Sequence, residues 1–185
     1  MERNQTLCLW GLLLFAIAHL VGQIITYHTG MDGMYQIMEF FKNKTEGKTA
    51  LENFLIFLFN NGRMIVLTML LGLIPYLFLG ILPLLINGLL FGGIYQVMVV
   101  AGEQSLWQYI LTIGPHGLFE LLGLVYMAAV SIKTSWHLGQ KLRRQCAISM
   151  KELFLRLFAS CVFVTMPIIV LSAMIEAYIT PLILK

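Results

Sequence analysis

Charged residues are scarce in this chain, and long stretches of it contain almost none. Only 11% of its 185 residues are charged, whereas 59% are hydrophobic. Soluble domains contain about 25% charged residues, and a soluble fold of this size could not bury so much apolar surface. The composition therefore excludes an ordinary soluble protein and favours a protein embedded in a lipid bilayer.

The sequence also lacks the motifs of several functional classes. The net charge is +3 without a basic patch, so no nucleic-acid partner is expected. No P-loop, dinucleotide glycine pattern or GxSxG turn is present, so neither a cofactor nor nucleophilic catalysis is expected. The three cysteines, Cys8, Cys146 and Cys161, have neither disulfide nor metal-ligand spacing, which predicts a packing role for them.

Apolar runs take the place of these motifs. Between Phe54 and Ala101 the only charge is Arg63, and between Leu157 and Leu184 the only charge is Glu176. Runs of about 18 or more apolar residues are typical of transmembrane helices, and these runs lack the period of two expected of barrel strands. The predicted fold class is therefore an all-α integral membrane protein with about five transmembrane helices.

The spans are bounded by these runs and by the prolines that interrupt them. Pro83 and Pro115 suit the first turn of a helix, where the missing N–H is not needed. Pro167 should kink the last span. The chain is then a single membrane domain with spans at about residues 7–26, 63–82, 83–101, 115–133 and 153–179.

A short helix is predicted just before the second span. Residues 49–52, Thr-Ala-Leu-Glu, match a capping box that starts a helix, and the Asn-Asn-Gly at residues 60–62 is typical of a helix end. About eleven residues span only roughly 16 Å, too little to cross a bilayer. We therefore expect a re-entrant or interfacial helix near residues 50–60, the alternative being one long helix that continues into the second span.

The distribution of basic residues predicts the topology. Residues 133–156 contain six Lys and Arg side chains, whereas the polar segment at residues 27–53 contains three. Cytoplasmic loops are enriched in Lys and Arg, so the chain is expected in the cell membrane with its N-terminus in the cytoplasm. The segment at residues 27–53, with a short amphipathic helix near residues 35–41, and the C-terminus would then lie outside.

A few polar side chains fall within the predicted spans, where ionisable groups usually face a partner or a cavity. His116 and Glu120 are four residues apart and share one helix face. Counted along the predicted spans, Asn87 comes out near the inner membrane face and is expected to lie apart. The predicted cluster near the outer face consists of Asn60, Asn61, Arg63, His116, Glu120 and Glu176.

Four uses of this cluster are open. Arg63 could lie between two carboxylates in a buried salt-bridge network that fixes helix order. The cluster could line a cavity that passes or senses a proton, ion or solute, since His titrates near neutral pH. His116, Glu120 and Glu176 could hold a divalent metal ion, although no HExxH pattern supports them. The cluster could also bind a membrane helix of a partner protein.

The Gly88-x-x-x-Gly92 spacing predicts close helix packing. Glycines four residues apart let another backbone approach the helix. One chain with so few spans has a thin core, so we expect a homodimer, with this glycine face as its contact. Membrane lipid and other envelope or membrane proteins are the further partners expected.

Four stretches of the sequence together resemble the stage II sporulation protein M family. The most specific is residues 115–120, Pro-His-Gly-Leu-Phe-Glu, and the order and spacing cover most of the chain from residue 53 onward. After Glu120 the sequence departs from the family pattern, with Leu122 and Gly123 where a proline and a small residue are expected. The other three stretches are Phe59-Asn60-Asn61, Asn87-Gly88 with Gly92, and Glu176-Ala177-Tyr178-Ile179-Thr180-Pro181.

The resemblance implies a polytopic membrane protein whose activity the family name does not settle. The family's named member is a membrane scaffold that recruits two peptidoglycan-degrading proteins during engulfment, and others accompany gene sets for circular bacteriocins. We therefore expect a non-enzymatic scaffold or assembly factor for envelope proteins. The alternative is a transporter or channel component for an ion, proton or exported peptide, since Gly62, Pro75, Gly114 and Pro167 could break helices near a solute site. A membrane-embedded metal enzyme is the third possibility.

Overall fold

The computed structural model describes residues 2–145 and 148–183, and every regular element in that part of the chain is helical. Five helices are long and apolar enough to cross a membrane, which confirms the predicted all-α membrane fold. Of the three cysteines, Cys146 lies outside the described residues. The five spans are Gln5–Thr29, Ala50–Leu71, Leu79–Val100, Leu106–Leu142 and Met150–Ile183.

The helices follow one another with short connections. The first five are α1 (Glu2–Thr29), α2 (Asp32–Thr45), α3 (Ala50–Leu71), α4 (Leu82–Tyr95) and α5 (Leu106–Leu142). A 3-10 turn, Leu79–Ile81, precedes α4, and a π-helical turn, Gln96–Val100, follows it. The last span consists of α6 (Met150–Ala159), a π turn (Ser160–Thr165), α7 (Met166–Met174), a π turn (Ile175–Ile179) and α8 (Thr180–Ile183).

Helix α3 begins where predicted but does not end where predicted. The capping box is present, because Thr49 Oγ1 accepts the Glu52 N–H and the Glu52 carboxylate accepts the Thr49 N–H. The helix then continues through residues 60–62 to Leu71, so the re-entrant helix near residues 50–60 and the span at 63–82 are wrong. Asn61 and Gly62 are buried in the bundle, and tertiary packing outweighs their weak preference for a helix end.

Helix α5 begins at Leu106 rather than at Pro115. Ser105 caps it through reciprocal hydrogen bonds with Gln108, a cap that the sequence reading missed. Pro115 lies inside the helix, where it removes one backbone donor. Pro115 has no N–H to donate to the Leu111 carbonyl one turn before it, and such prolines are tolerated in membrane helices. The next residue connects α5 to α7, because the Ser172 hydroxyl donates to the His116 carbonyl at 2.8 Å.

A π-helical turn precedes Pro167, which lies in the first turn of α7. The turn covers Ser160–Thr165, immediately before the proline. Sharp changes in helix direction are commonly found at prolines and π turns. The second π turn of this span, Ile175–Ile179, carries Glu176.

Helices α1 and α4 pack backbone against backbone. Gly92 lies so close to the His19 carbonyl, and Gly22 so close to the Leu89 carbonyl, that a Cβ atom at either glycine would overlap the oxygen. At Gly88 an added Cβ would be only 2.8 Å from the Cβ of Ala18. Helix α1 thus covers the face that carries Gly88 and Gly92. The prediction that this face forms the contact of a homodimer is wrong. The homodimer itself remains a prediction, with no contact surface assigned to it.

The connection between α3 and α4 folds onto α5. The Ser131 hydroxyl donates to the Thr68 carbonyl at 2.8 Å, and the Ser135 hydroxyl donates to the Ile74 carbonyl at 2.6 Å. These bonds hold the end of α3 and the connection that follows it against α5, and the Thr68 carbonyl also accepts the Gly72 N–H. The connections at residues 30–49 and 101–105 lie together at the opposite side of the bundle, which we call the α2 side.

Candidate functional site

A cavity of about 390 Å³ lies between α2, α3, α4, α5 and the end of the last span. Its volume is within the range of small-ligand pockets. Phe57, Phe91 and other apolar side chains form part of its wall. Its polar lining residues are Thr45, Asn60, Asn61, Asn87, Thr112, His116, Glu120, Glu176 and Thr180.

Asn87 and Glu120 meet in this cavity. The Asn87 Nδ2 donates to Glu120 Oε1 at 2.9 Å, and the two residues are 9% and 8% exposed. The prediction that Asn87 lies apart is therefore wrong. Because α5 starts at Leu106 and the α4 span ends at Val100, both side chains lie about 20 Å from the α2-side ends of their helices.

His116 and Glu176 form the second contact between helices. His116 Nε2 lies 3.9 Å from Glu176 Oε1, a distance too long for a direct hydrogen bond. His116 Nδ1 is buried without a hydrogen-bond partner among the described residues. Buried polar atoms are normally hydrogen-bonded, so Nδ1 is an unsatisfied polar atom of a residue that lines the cavity.

The two asparagines of α3 complete the polar wall. Asn60 Nδ2 donates to Asn61 Oδ1 at 3.3 Å, and Asn61 is only 5% exposed. With Asn87, they present amide groups that can both donate and accept hydrogen bonds. The cavity can therefore satisfy a polar molecule on several sides.

Arg63 does not belong to this site. Residues in a helix turn by about 100° each, so Arg63 points about 200° away from Asn61. It is exposed on the outer surface of α3, in a separate groove beside Met166. Within residues 2–145 and 148–183 no carboxylate pairs with Arg63, so its placement between Glu120 and Glu176 is wrong.

The floor of the cavity is closed by apolar side chains. One or two turns beyond the polar residues, four of the helices each carry a residue that is at most 1% exposed. These residues belong to one continuous hydrophobic core. The cavity therefore ends inside the bundle. The four residues are Ile65, Leu84, Leu124 and Ile169.

The arrangement gives no geometric support for a metal site. In the described part of the chain no three His, Cys, Asp or Glu side chains are placed so that they could share a metal ion. His116, Glu120 and Glu176 line one cavity, but their side chains are not placed to bind one metal ion together.

Helix α2 covers the cavity on its own side of the membrane. Ile37, Met38 and Phe41 line the cavity, and the amphipathic helix predicted near residues 35–41 extends over Asp32–Thr45. The Tyr35 hydroxyl donates to the Glu103 carboxylate, and this hydrogen bond raises the pKa of Tyr35 above its ordinary value. Helix α2 is thus held across the cavity by a contact with the next connection.

Comparison with known proteins places the chain in a family. The family described as Stage II sporulation protein M matches residues 11–181. The chain belongs to the stage II sporulation protein M family. No curated protein and no solved structure matches it.

The family match contains every residue of the cavity. It also includes most of α1 and all of α2, which lie before residue 53, where the stretches that carry the sequence resemblance begin. In this stage II sporulation protein M family member, α1 supports α4 and α2 covers the site, so both belong to the same structural unit as Glu120.

Some cavity residues of this stage II sporulation protein M family member were missed from the sequence. Thr112 lies four residues before His116, and Thr180 lies four residues after Glu176. The spacing of four along a helix could have identified both threonines. No sequence signal marks the α2 residues, because their position over the cavity depends on how the connections fold.

Proposed function

We propose that this stage II sporulation protein M family member is a non-enzymatic membrane scaffold that captures a segment of a partner protein in its polar cavity. The observation that carries the proposal is a cavity with several polar groups that ends at an apolar core. Such a closed pocket suits binding from one side better than passage through the membrane.

The chemistry of the wall favours a partner segment with a basic side chain. Glu120 and Glu176 face the cavity, and no Lys or Arg is among its described lining residues. A guanidinium or ammonium group forms strong hydrogen bonds with carboxylates. The amides of Asn60 and Asn61 could hold the adjoining backbone.

The charge distribution favours a partner outside the cytoplasm. The basic segment at residues 133–156 lies at the opposite end of α5 from the α2 side. If the basic segment lies on the cytoplasmic side of the cell membrane, the cavity lies near the outer side. The N-terminus would be cytoplasmic and the C-terminus external.

Loss of one carboxylate is expected to weaken partner capture. A photo-reactive amino acid replaces Phe41 in every protein compared. We expect Glu176→Gln to reduce the yield of cross-linked partner about tenfold, because the loss of a hydrogen bond to a charged group costs about that much binding free energy. The measurement is the yield of one defined adduct from intact membranes. Glu152→Gln is the matched control, since Glu152 is exposed and pairs with Arg156 outside the cavity. Equal yields from all three proteins, or repeated failure to find an adduct, would count against the scaffold.

Transport is the second candidate, favoured by the titratable groups at the cavity and by the π turn that carries Glu176. Helix irregularities of this kind often occur at functional sites. If the protein is a scaffold, the proton or ion flux into vesicles that contain the purified protein should not exceed the flux into protein-free vesicles. A flux that Glu120→Gln abolishes would replace the scaffold by a transporter.

A further inference from the structure

Arg63 is a charged residue on the lipid-facing surface of a membrane helix. It lies about 20 Å from the Ala50 end of α3 and about 12 Å from the Leu71 end, well inside a hydrocarbon layer of about 30 Å. Helical side chains lean toward the N-terminus of their helix. Arg63 therefore leans away from its nearer membrane surface, which makes contact with headgroups there unfavourable.

A long groove surrounds Arg63. It has a volume of about 900 Å³ and follows α3 from Leu55 to Leu70, with Met166 of α7 on its other side. The fifteen helical steps from Leu55 to Leu70 correspond to about 22 Å, or about four turns. Gly62 lines the groove but is buried, because the Met166 methyl group lies 3.6 Å from where its Cβ would be. The groove has the length and shape to receive another helix.

A second copy of this chain does not supply a counter-charge for the groove. In a symmetric contact of groove against groove, Arg63 would face the Arg63 of the other copy. In the described spans, the carboxylates at comparable depth are Glu120 and Glu176, and both face the cavity. Glu52 lies in the first turn of α3, and Glu152 pairs with Arg156.

We propose that the α3 groove binds a transmembrane helix of a different protein, and that this helix carries an Asp or Glu that pairs with Arg63. A buried carboxylate–guanidinium contact would satisfy a charge that otherwise faces hydrocarbon. The remainder of the groove would contact apolar side chains of the partner helix. This surface lies on the opposite side of α3 from the cavity, so the proposal stands whether or not the cavity captures a partner.

The test uses the full-length protein in zwitterionic lipid vesicles with model peptides. The peptides are Leu/Ala transmembrane helices with a single central Glu or, as the isosteric control, Gln. Energy transfer between labelled protein and peptide should show binding of the Glu peptide and at least about tenfold weaker binding of the Gln peptide. Arg63→Gln should remove the preference, whereas Arg156→Gln should leave it unchanged. Arg63→Glu should instead prefer a peptide with a central Lys.

A second measurement keeps the proposal testable if a variant does not fold. A photo-reactive residue at Val66, in the groove, should cross-link the Glu peptide, whereas one at Leu20, on the lipid-facing surface of α1, should not. Equal binding of the Glu and Gln peptides, or equal cross-linking from both positions, would overturn the proposal. It would also be overturned if Arg63 only recruited added anionic phospholipid and showed no preference between peptides.

Discussion

Replacing Gly92 with alanine is expected to lower the free energy of unfolding by about 3 kcal/mol, near the upper end of the range for overpacked cores. The added Cβ would overlap the His19 carbonyl oxygen. A flexible side chain could rotate away from such a contact, but a backbone carbonyl in the middle of α1 cannot. Helices α1 and α4 would have to move apart, and the cavity wall formed by Asn87 would move with α4.

The measurement is thermal or steric-trap unfolding of the purified protein in lipid bicelles. Gly33→Ala is the matched control, because Gly33 is an exposed helical residue of α2 and a Cβ added there would meet no atom within 4 Å. An alanine there should be neutral or stabilise the helix by up to about 1 kcal/mol. If both alanine variants unfold together with the wild type, the close α1–α4 packing does not describe the protein.

Replacing Asn87 with leucine is expected to destabilise the bundle by about 1–3 kcal/mol, the cost of leaving a buried polar group without its partner. Leucine has nearly the shape of asparagine, so the change removes the donor without opening a large space. The Glu120 carboxyl would then lose the 2.9 Å hydrogen bond that it accepts from Nδ2.

The double variant Asn87→Leu, Glu120→Leu should recover most of that loss, because replacing both partners with apolar groups can be nearly neutral. The coupling between the two positions should exceed about 0.6 kcal/mol, the average for hydrogen bonds between membrane helices. The recovered double variant should remain folded and still fail to cross-link a partner, since the cavity has lost a carboxylate. A double variant destabilised by the sum of the losses of Asn87→Leu and Glu120→Leu would mean that the two side chains are not coupled.

The pattern of charges and apolar runs was sufficient to predict the membrane fold. The number of spans follows from the length of the apolar runs, and the capping box at Thr49 identifies the start of α3. The pair His116 and Glu120 follows from their spacing on one helix. These features depend on residues that are near one another in the chain, where helix geometry alone relates them.

The ends of the helices and the membership of the cavity required the tertiary structure. Residues 60–62 resemble a helix end, yet packing of Asn61 and Gly62 against the bundle carries α3 through them. In the continuous helix, Asn61 lines the cavity and Arg63, on the opposite side, faces lipid. The earlier start of α5 brings Glu120 to the depth of Asn87. Each residue of error in the predicted end of a helix changes the inferred depth of a side chain by about 1.5 Å and its direction by about 100°. The sequence by itself therefore determined that polar groups lie within the membrane, and only the packing of the helices decided which of them meet.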